Sequence, residues 1–136
     1  MKTLKDMNKI LTCLLAVLGL NTACGQQNFE NADVQGFAKL VRDSNVVVLD
    51  VRTAEEYADG HIERAVNIDY YKDDFVEKAK AALPTDKKIA IYCRSGRRSA
   101  NAASKLAAEG YVLVNLKGGI IDWQKAGMPV VKAGKD

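Results

Sequence analysis

Short apolar runs alternate with amphipathic segments along most of this chain. Four runs have the length and aliphatic content of buried strands: residues 46–49, 65–68, 88–93 and 111–116. Around them, apolar residues recur at helical spacing, which predicts helices over residues 33–45, 53–60, 71–83, 99–109 and 118–127. Strands separated by helices pair in parallel through right-handed crossovers. The pattern therefore predicts an α/β fold.

Local signals mark several of the helix ends. Asp33 is a suitable N-cap for the first helix, and Thr53 with Glu56 has the spacing of a capping box. Gly60 follows the second helix, where glycine commonly ends a helix, and Pro84 stops the third. These signals agree with the periodicity.

The first 23 residues have the composition of an export signal. Lysines stand at positions 2, 5 and 9, residues 10–20 carry no charge, and small residues follow. Such an apolar run spans about 16 Å as a helix, whereas a bilayer core is about 30 Å thick. We therefore predict a signal peptide over residues 1–23 rather than a lasting membrane span. A buried core helix is the alternative, but no polar face accompanies the run.

Cys24 follows this segment in a way that resembles a bacterial lipoprotein signal. Ala23 precedes the cysteine and a polar stretch follows it, although Asn21 stands where the common pattern has an apolar residue. The resemblance implies that Cys24 is lipidated and anchors the exported chain to the membrane of the bacterial cell envelope, facing the periplasm. The alternative is a plain signal peptide that leaves Cys24 as a free thiol.

Composition places the chain among ordinary folded domains. The 136 residues are 48% hydrophobic and 27% charged, which fits one domain and excludes disordered, collagen-like and coiled-coil chains. The net charge of +3 is concentrated at the N-terminus, since the chain after residue 23 has 17 basic and 16 acidic residues. So small an excess gives no electrostatic basis for binding nucleic acid, and three scattered cysteines do not make a disulfide framework.

Cys93 ends the predicted strand over residues 88–93 and carries the clearest chemical signal. Ligands bind at the carboxyl ends of parallel strands, and a loop leads from this cysteine into a helix. The loop residues are Arg94, Ser95, Gly96, Arg97 and Arg98. Backbone N–H groups, the helix dipole and the arginines all favour a thiolate over a thiol. We therefore predict a nucleophilic Cys93 with a substrate held by residues 94–98, rather than an inert core cysteine.

Three kinds of reaction use a cysteine in such a setting. A Cys–His hydrolase needs an imidazole base, but the single histidine, His61, is better explained by packing. A Cys-x5-Arg phosphatase needs arginine at position 99, where the chain has serine. Sulfur transfer needs an ionised cysteine and N–H donors that stabilise thiolate and persulfide, and the loop supplies both. Sulfur transfer is therefore favoured, and a phosphatase is the weaker candidate.

Two segments of the chain resemble the single-domain rhodaneses, sulfurtransferases of the thiosulfate type. Residues 50–68 are similar to the pattern DVR-x3-E-[YF]-x2-GHI-x-GA-x-NI, with Arg64 where glycine is usual. The second segment begins at Tyr92, passes through the 94–98 loop and ends at Trp123. The resemblance covers about residues 29–131. It implies a five-stranded parallel sheet with helices on both faces and a six-residue active loop that begins at Cys93.

The same resemblance implies a rhodanese domain over residues 33–131. Because residues 24–32 are polar, we expect them to form a tether before this domain, and residues 132–136 to form a tail after it. Cys93 would carry the persulfide, taking sulfur from a small anionic donor such as thiosulfate and passing it to cyanide or a thiol. Asp50 and Arg52 are expected to pair and support the site, with direct substrate contact the alternative. We expect a monomer that uses no metal and no cofactor. A non-catalytic rhodanese-like binding module is the alternative, although such modules generally lose the cysteine or the loop.

Overall fold

The computed structural model describes residues 28–133, which contain five strands and five helices. The strands are β1 (Glu30–Ala32), β2 (Val46–Asp50), β3 (Val66–Asn67), β4 (Lys88–Tyr92) and β5 (Leu113–Leu116). The helices are α1 (Val34–Val41), α2 (Ala54–Asp59), α3 (Phe75–Ala82), α4 (Arg97–Ala107) and α5 (Gly119–Lys125). The predicted signal peptide, Cys24 and residues 134–136 lie outside the described residues.

All five strands join one parallel sheet in the order β1-β5-β4-β2-β3. The central pair, β2 and β4, is aligned from Val46 opposite Lys88 to Asp50 opposite Tyr92. The carboxyl ends of these strands therefore lie together at one edge of the sheet, from which the Cys93 loop leaves. This arrangement confirms the predicted α/β fold with a five-stranded parallel sheet.

The core lies on both faces of the sheet because the central strands are apolar at most positions. Alternate residues of β4 point to opposite sides, so Ile89 and Ile91 pack under α3 and α4, whereas Ala90 and Tyr92 pack under α1 and α5. Phe37 of α1 makes edge-to-face contacts with Tyr92 and Trp123, at ring-centre distances of 6.2 and 6.1 Å. Helices on both faces are thus confirmed.

The strand β1 lies inside the segment predicted as a tether. Its three residues pair with β5, with Asn31 opposite Asn115, and Phe29 just before it packs against the core. Two of the three are exposed, so the strand has no apolar alternation that would mark it in the sequence. The tether prediction is therefore wrong for residues 30–32, which belong to the folded domain.

Several helix ends follow the predicted signals, and two differ from them. The Asp33 side chain accepts a hydrogen bond from the Gly36 N–H, and Thr53 with Glu56 forms a complete capping box. The third helix begins at Phe75 instead of Tyr71, because the Tyr71 N–H donates to the Asp69 carboxylate in a turn. The helix after Cys93 begins at Arg97 instead of Ser99.

Candidate active site

Cys93 lies directly after β4, at the base of the loop that leads into α4. The residue is 1% exposed. Its Sγ accepts two hydrogen bonds, from the Gly96 N–H at 3.1 Å and from the Ser99 hydroxyl at 3.3 Å. Two donors that converge on one sulfur stabilise negative charge on that atom, in a thiolate or in a persulfide.

Glycine makes this loop possible at two points. Gly96 has a left-handed backbone with φ +99°, and a Cβ at this position would overlap the carbonyl oxygen of Lys117. Gly119 allows the start of α5 to approach the backbone of Arg94 closely. The N–H groups of Ile120 and Ile121 donate to the carbonyls of Cys93 at 2.9 Å and Arg94 at 3.2 Å. The loop is therefore fixed to α5 by backbone contacts.

The first turn of α4 lies beside the sulfur and begins at Gly96. Among the residues that the structure describes, no side chain caps this helix. The first N–H groups of a helix have no partner within the helix, and the helix dipole gives this end a partial positive charge. The turn can therefore receive an anion next to Cys93.

The three arginines of the loop differ in what they contact. Arg94 and Arg97 are exposed, and neither forms an ion pair with any residue between 28 and 133. Arg98 is half-buried, and its two terminal nitrogens donate to the two carboxylate oxygens of Glu56 at 2.8 and 3.0 Å. Its guanidinium also lies 5.1 Å from the centre of the Tyr71 ring. Two of the predicted binding arginines thus face solvent, whereas the third is paired.

The contact between Glu56 and Arg98 stabilises the carboxylate of Glu56 and the guanidinium of Arg98 in their charged forms. The hydrogen bond from Arg98 is the largest influence on Glu56 and lowers the pKa of its carboxyl to about 2, against the opposing effect of burial. The pKa of Arg98 is raised, chiefly by the hydrogen bond to Glu56 and to a smaller degree by the charges of Tyr71 and Cys93. Pairing therefore keeps both side chains charged.

Asp50 and Arg52 form a buried ion pair behind the site, 0% and 5% exposed. The Arg52 side chain donates to both Asp50 oxygens and, at 2.7 Å, to the Gly60 carbonyl, while the Tyr92 hydroxyl donates to Asp50 at 2.7 Å. Burial lowers the pKa of Arg52, but the hydrogen bond and charge of Asp50 more than offset this, so the pKa is raised. Burial raises the pKa of Tyr92. The pair thus ties the end of β2 to the C-terminal end of α2 through Gly60.

His61 and Trp123 have packing partners. The His61 ring stacks on Tyr57 at a centre distance of 3.7 Å, and its Nδ1 is hydrogen-bonded to the Tyr57 carbonyl at 2.8 Å. The Trp123 indole donates to the Pro129 carbonyl at 2.9 Å. Between residues 28 and 133, no hydrogen bond joins His61 to Cys93, so the histidine is not placed as a base for this thiol.

Arg64 occupies a left-handed position that usually favours glycine. Its φ is 74°, in a region that costs a non-glycine residue about 1 kcal/mol or more. The guanidinium compensates by donating to the carbonyls of Val41 at 2.6 Å and Asp43 at 3.2 Å. The departure from the rhodanese pattern therefore affects a turn away from the sulfur.

Three residues of the site were not assigned a role there by the sequence pattern. They are Glu56, Ser99 and Asn115, whose side-chain amide donates to the Gly96 carbonyl at 3.4 Å. The capping-box spacing indicated a role for Glu56 in α2 but not its contact with Arg98. Ser99 could have been considered for a role, because it lies in the first turn of the helix that follows the Cys93 loop.

Several proteins that are similar in sequence to this chain are named for sulfur transfer. A protein named "Sulfurtransferase" from Allochromatium vinosum is 37% identical over 94 residues, which cover 68% of this chain and 85% of that protein. "Putative sulfurtransferase YtwF" of Bacillus subtilis is 38% identical over 86 residues, covering 63% of this chain and 81% of its own length. "Thiosulfate sulfurtransferase 18" of Arabidopsis thaliana is 35% identical over 105 residues, covering 68% of this chain and 77% of its own length.

Solved structures with a similar fold are also rhodanese-related proteins. The crystal structure of a rhodanese-related protein from Thermoplasma volcanium aligns with a TM-score of 0.68 and 34% identity, covering 76% of this chain and 98% of that one. Residues 33–126 match the family described as "Rhodanese-like domain", which spans all the strands and helices here except β1 and contains the whole Cys93 loop. On these grounds the chain belongs to the rhodanese-like domain family.

Proposed function

We propose that this protein is a sulfurtransferase that carries sulfur as a persulfide on Cys93. Its donor would be a small anion such as thiosulfate, and its acceptor cyanide or a thiol. The observation that carries the proposal is the convergence of the Gly96 N–H and the Ser99 hydroxyl on the Cys93 sulfur. The names of three relatives point to the same class of reaction.

The proposed reaction has two steps that regenerate the enzyme. The Cys93 thiolate attacks the outer sulfur of thiosulfate, a new S–S bond forms, and the bond to the sulfonate sulfur breaks. Sulfite leaves with the electron pair of that bond, and Cys93 becomes a persulfide anion. Cyanide then attacks the outer sulfur and leaves as thiocyanate, with the electron pair returning to Cys93. The N–H and hydroxyl donors stabilise the anion in each enzyme form.

Burial of the sulfur favours a donor that presents a single protruding atom. Cys93 is 1% exposed, so a bulky group has no room beside it. The outer sulfur of thiosulfate is such an atom, and its sulfonate would remain near the rim of the loop. There Arg94 and Arg97 are exposed, and the first turn of α4 offers N–H groups.

Two alternatives have less support. A phosphatase on this loop would need an arginine free to grip two phosphoryl oxygens, but residue 99 is serine and Arg98 is paired with Glu56. A non-catalytic binding module would not require a hydrogen-bonded cysteine, and here Cys93 is retained with two donors. Sulfur transfer, by contrast, uses both the cysteine and its two hydrogen-bond donors.

Intact-mass measurement tests the proposal directly. After incubation of the full chain with thiosulfate, we expect a gain of about 32 Da, the mass of one sulfur atom, located in the peptide that contains Cys93. Cyanide should remove this mass and release thiocyanate. A sample whose Cys93 has first been alkylated is the control and should gain nothing. If the unblocked protein gains no mass at any thiosulfate concentration, Cys93 is not a sulfur carrier.

We further propose that the protein is held at the bacterial cell envelope by a lipid on Cys24. The support is the basic, apolar and small-residue order of residues 1–23 and the polar stretch after Cys24. Between residues 28 and 133 the structure has no helix long and apolar enough to cross a bilayer.

Detergent phase separation tests the lipid anchor. Protein from native membranes should partition into the detergent phase, whereas Cys24→Ala should appear in the aqueous phase or remain uncleaved, because an apolar run of residues 10–20 anchors poorly by itself. Cys13→Ala, which changes a cysteine inside the signal segment, is the matched control and should behave like the wild type. Wild-type protein found in the aqueous phase would show that Cys24 carries no lipid.

A further inference from the structure

We infer that Glu56 determines the anion selectivity of the active site by occupying Arg98. Three arginines follow Cys93, but the structure leaves only Arg94 and Arg97 available to a donor. Glu56 would thus act as a built-in carboxylate that keeps the third guanidinium from gripping oxyanions. The inference concerns the selectivity of the proposed sulfurtransferase site. Its importance for the protein rests on that proposed function, but the pairing itself can be tested without it.

The geometry of the pair is that of an anion bound by an arginine. Glu56 Oε1 accepts from one terminal nitrogen of Arg98 at 2.8 Å, and Oε2 accepts from the other at 3.0 Å. This two-point contact is the way in which arginine also binds phosphate. A phosphoryl group could therefore make this two-point contact with the two terminal nitrogens only by displacing the Glu56 carboxylate, which leaves their outer N–H groups for weaker single contacts.

Glu56 is held in place from its own helix, so it is not readily displaced. The Thr53 N–H and hydroxyl each donate to Glu56 Oε1 at 3.1 Å, and the Glu56 N–H donates back to the Thr53 hydroxyl at 3.2 Å. The Arg52 side chain fixes the other end of α2 through the Gly60 carbonyl. The carboxylate is therefore pre-positioned, and little conformational entropy remains to be lost when it pairs with Arg98.

Arg98 is held equally firmly on the opposite side. Only 15% of its side chain is exposed, compared with 30% of the Glu56 side chain, and its guanidinium lies against the Tyr71 ring. A pair shielded to this degree is weakly screened by salt. Because Glu56 neutralises Arg98, the loop after Cys93 presents less positive charge to a donor than its three arginines suggest. A donor is then recognised by Arg94, Arg97 and the N–H groups in the first turn of α4.

Charge-selective alkylation of Cys93 tests this inference without any sulfur-transfer assay. The readout is the ratio of Cys93 alkylation rates with anionic iodoacetate and neutral iodoacetamide, followed by mass spectrometry of the Cys93 peptide. In Glu56→Gln, we expect this ratio to rise about three- to ten-fold, because an uncompensated guanidinium attracts the anionic reagent. Inorganic phosphate should also protect Cys93 at about ten-fold lower concentration. Glutamine can still serve in the capping box, so α2 is retained.

Glu55→Gln is the matched control for this experiment. Glu55 is the neighbouring residue of the same helix, is exposed, and is changed by the same charge. We expect its ratio and its phosphate protection to match the wild type. Values in Glu56→Gln within about two-fold of Glu55→Gln would overturn the inference.

A double variant tests whether Arg98 is the source of the attraction. Glu56→Gln combined with Arg98→Met replaces an ion pair of zero net charge by two uncharged side chains. The ratio of the two alkylation rates should therefore return to the wild-type value. A ratio that stays raised in the double variant would show that Arg98 is not the source of the attraction. A large fall below the wild type would show that Arg98 already recruits anions, and either result would overturn the inference. Persulfide formation is measured separately, so its failure would not be confused with these outcomes.

Discussion

Cys93→Ser should abolish sulfur transfer while leaving the fold intact. A serine hydroxyl does not ionise under these conditions and does not hold a sulfane sulfur, so both proposed steps lose their carrier atom. We expect thiocyanate production from thiosulfate and cyanide to fall by about a thousand-fold or more, the order of loss found when an enzyme loses its nucleophile. The change conserves size, and serine can accept the same Gly96 N–H bond, so the free energy of unfolding should change by less than about 1.5 kcal/mol.

Ser99→Ala is the companion variant for this measurement. It removes one of the two donors to the sulfur and leaves the nucleophile in place. We expect a loss of about ten-fold, the effect of one hydrogen bond worth about 1–2 kcal/mol. Activity in Cys93→Ser near that of the wild type would reject Cys93 as the carrier and would return the binding module to consideration.

Gly96→Ala should severely destabilise the domain although it adds a single methyl group. The added Cβ would overlap the Lys117 carbonyl oxygen, and the backbone at residue 117 cannot retreat freely because its N–H donates to the Ala32 carbonyl at 3.0 Å. Moving the loop instead would displace the N–H that donates to the Cys93 sulfur. We expect the free energy of unfolding to fall by about 3 kcal/mol or more, and sulfur transfer to fall more than ten-fold in whatever protein remains folded.

Gly110→Ala separates the overlap from the backbone strain. Gly110 has the same φ of +99°, but a Cβ there meets nothing within 4 Å. Its cost should therefore be the left-handed strain alone, about 1 kcal/mol, with activity unchanged. Chemical denaturation of the two variants measures the difference. Equal losses of stability would show that contact with Lys117 contributes nothing at Gly96.

The sequence was most informative where local chemistry decides the structure. β2 and β4 are continuous apolar runs, and Thr53 with Glu56 has a capping-box spacing, so these elements follow from neighbouring residues. β1 could not be found in this way, because its residues are mostly exposed and it becomes a strand only by pairing with β5. A strand defined by a partner some eighty residues away has no local signature.

The residues of the site also differ in whether the local sequence could place them. Cys93 and the loop glycine could be placed by counting from the end of a strand, since the carboxyl end of a parallel strand is where ligands bind. The pairing of Arg98 could not, because Glu56 is distant in the chain and adjacent only in the fold. Counting positive residues in a sequence therefore overstates the positive charge that a substrate meets. The spatial neighbours decide which charges are free.

The direction of β1 places the entry of the chain and the reactive sulfur at opposite ends of the sheet. Because β1 runs parallel to β4, the chain enters the sheet at the edge where the strands begin, and Asn28 and Phe29 lie beside Lys88 and Tyr111 there. Cys93 lies past the other end of the strands. The chain therefore joins the domain at the ends of the strands that lie opposite the reactive sulfur. A dissolved donor or acceptor can reach Cys93 without crossing that point of entry.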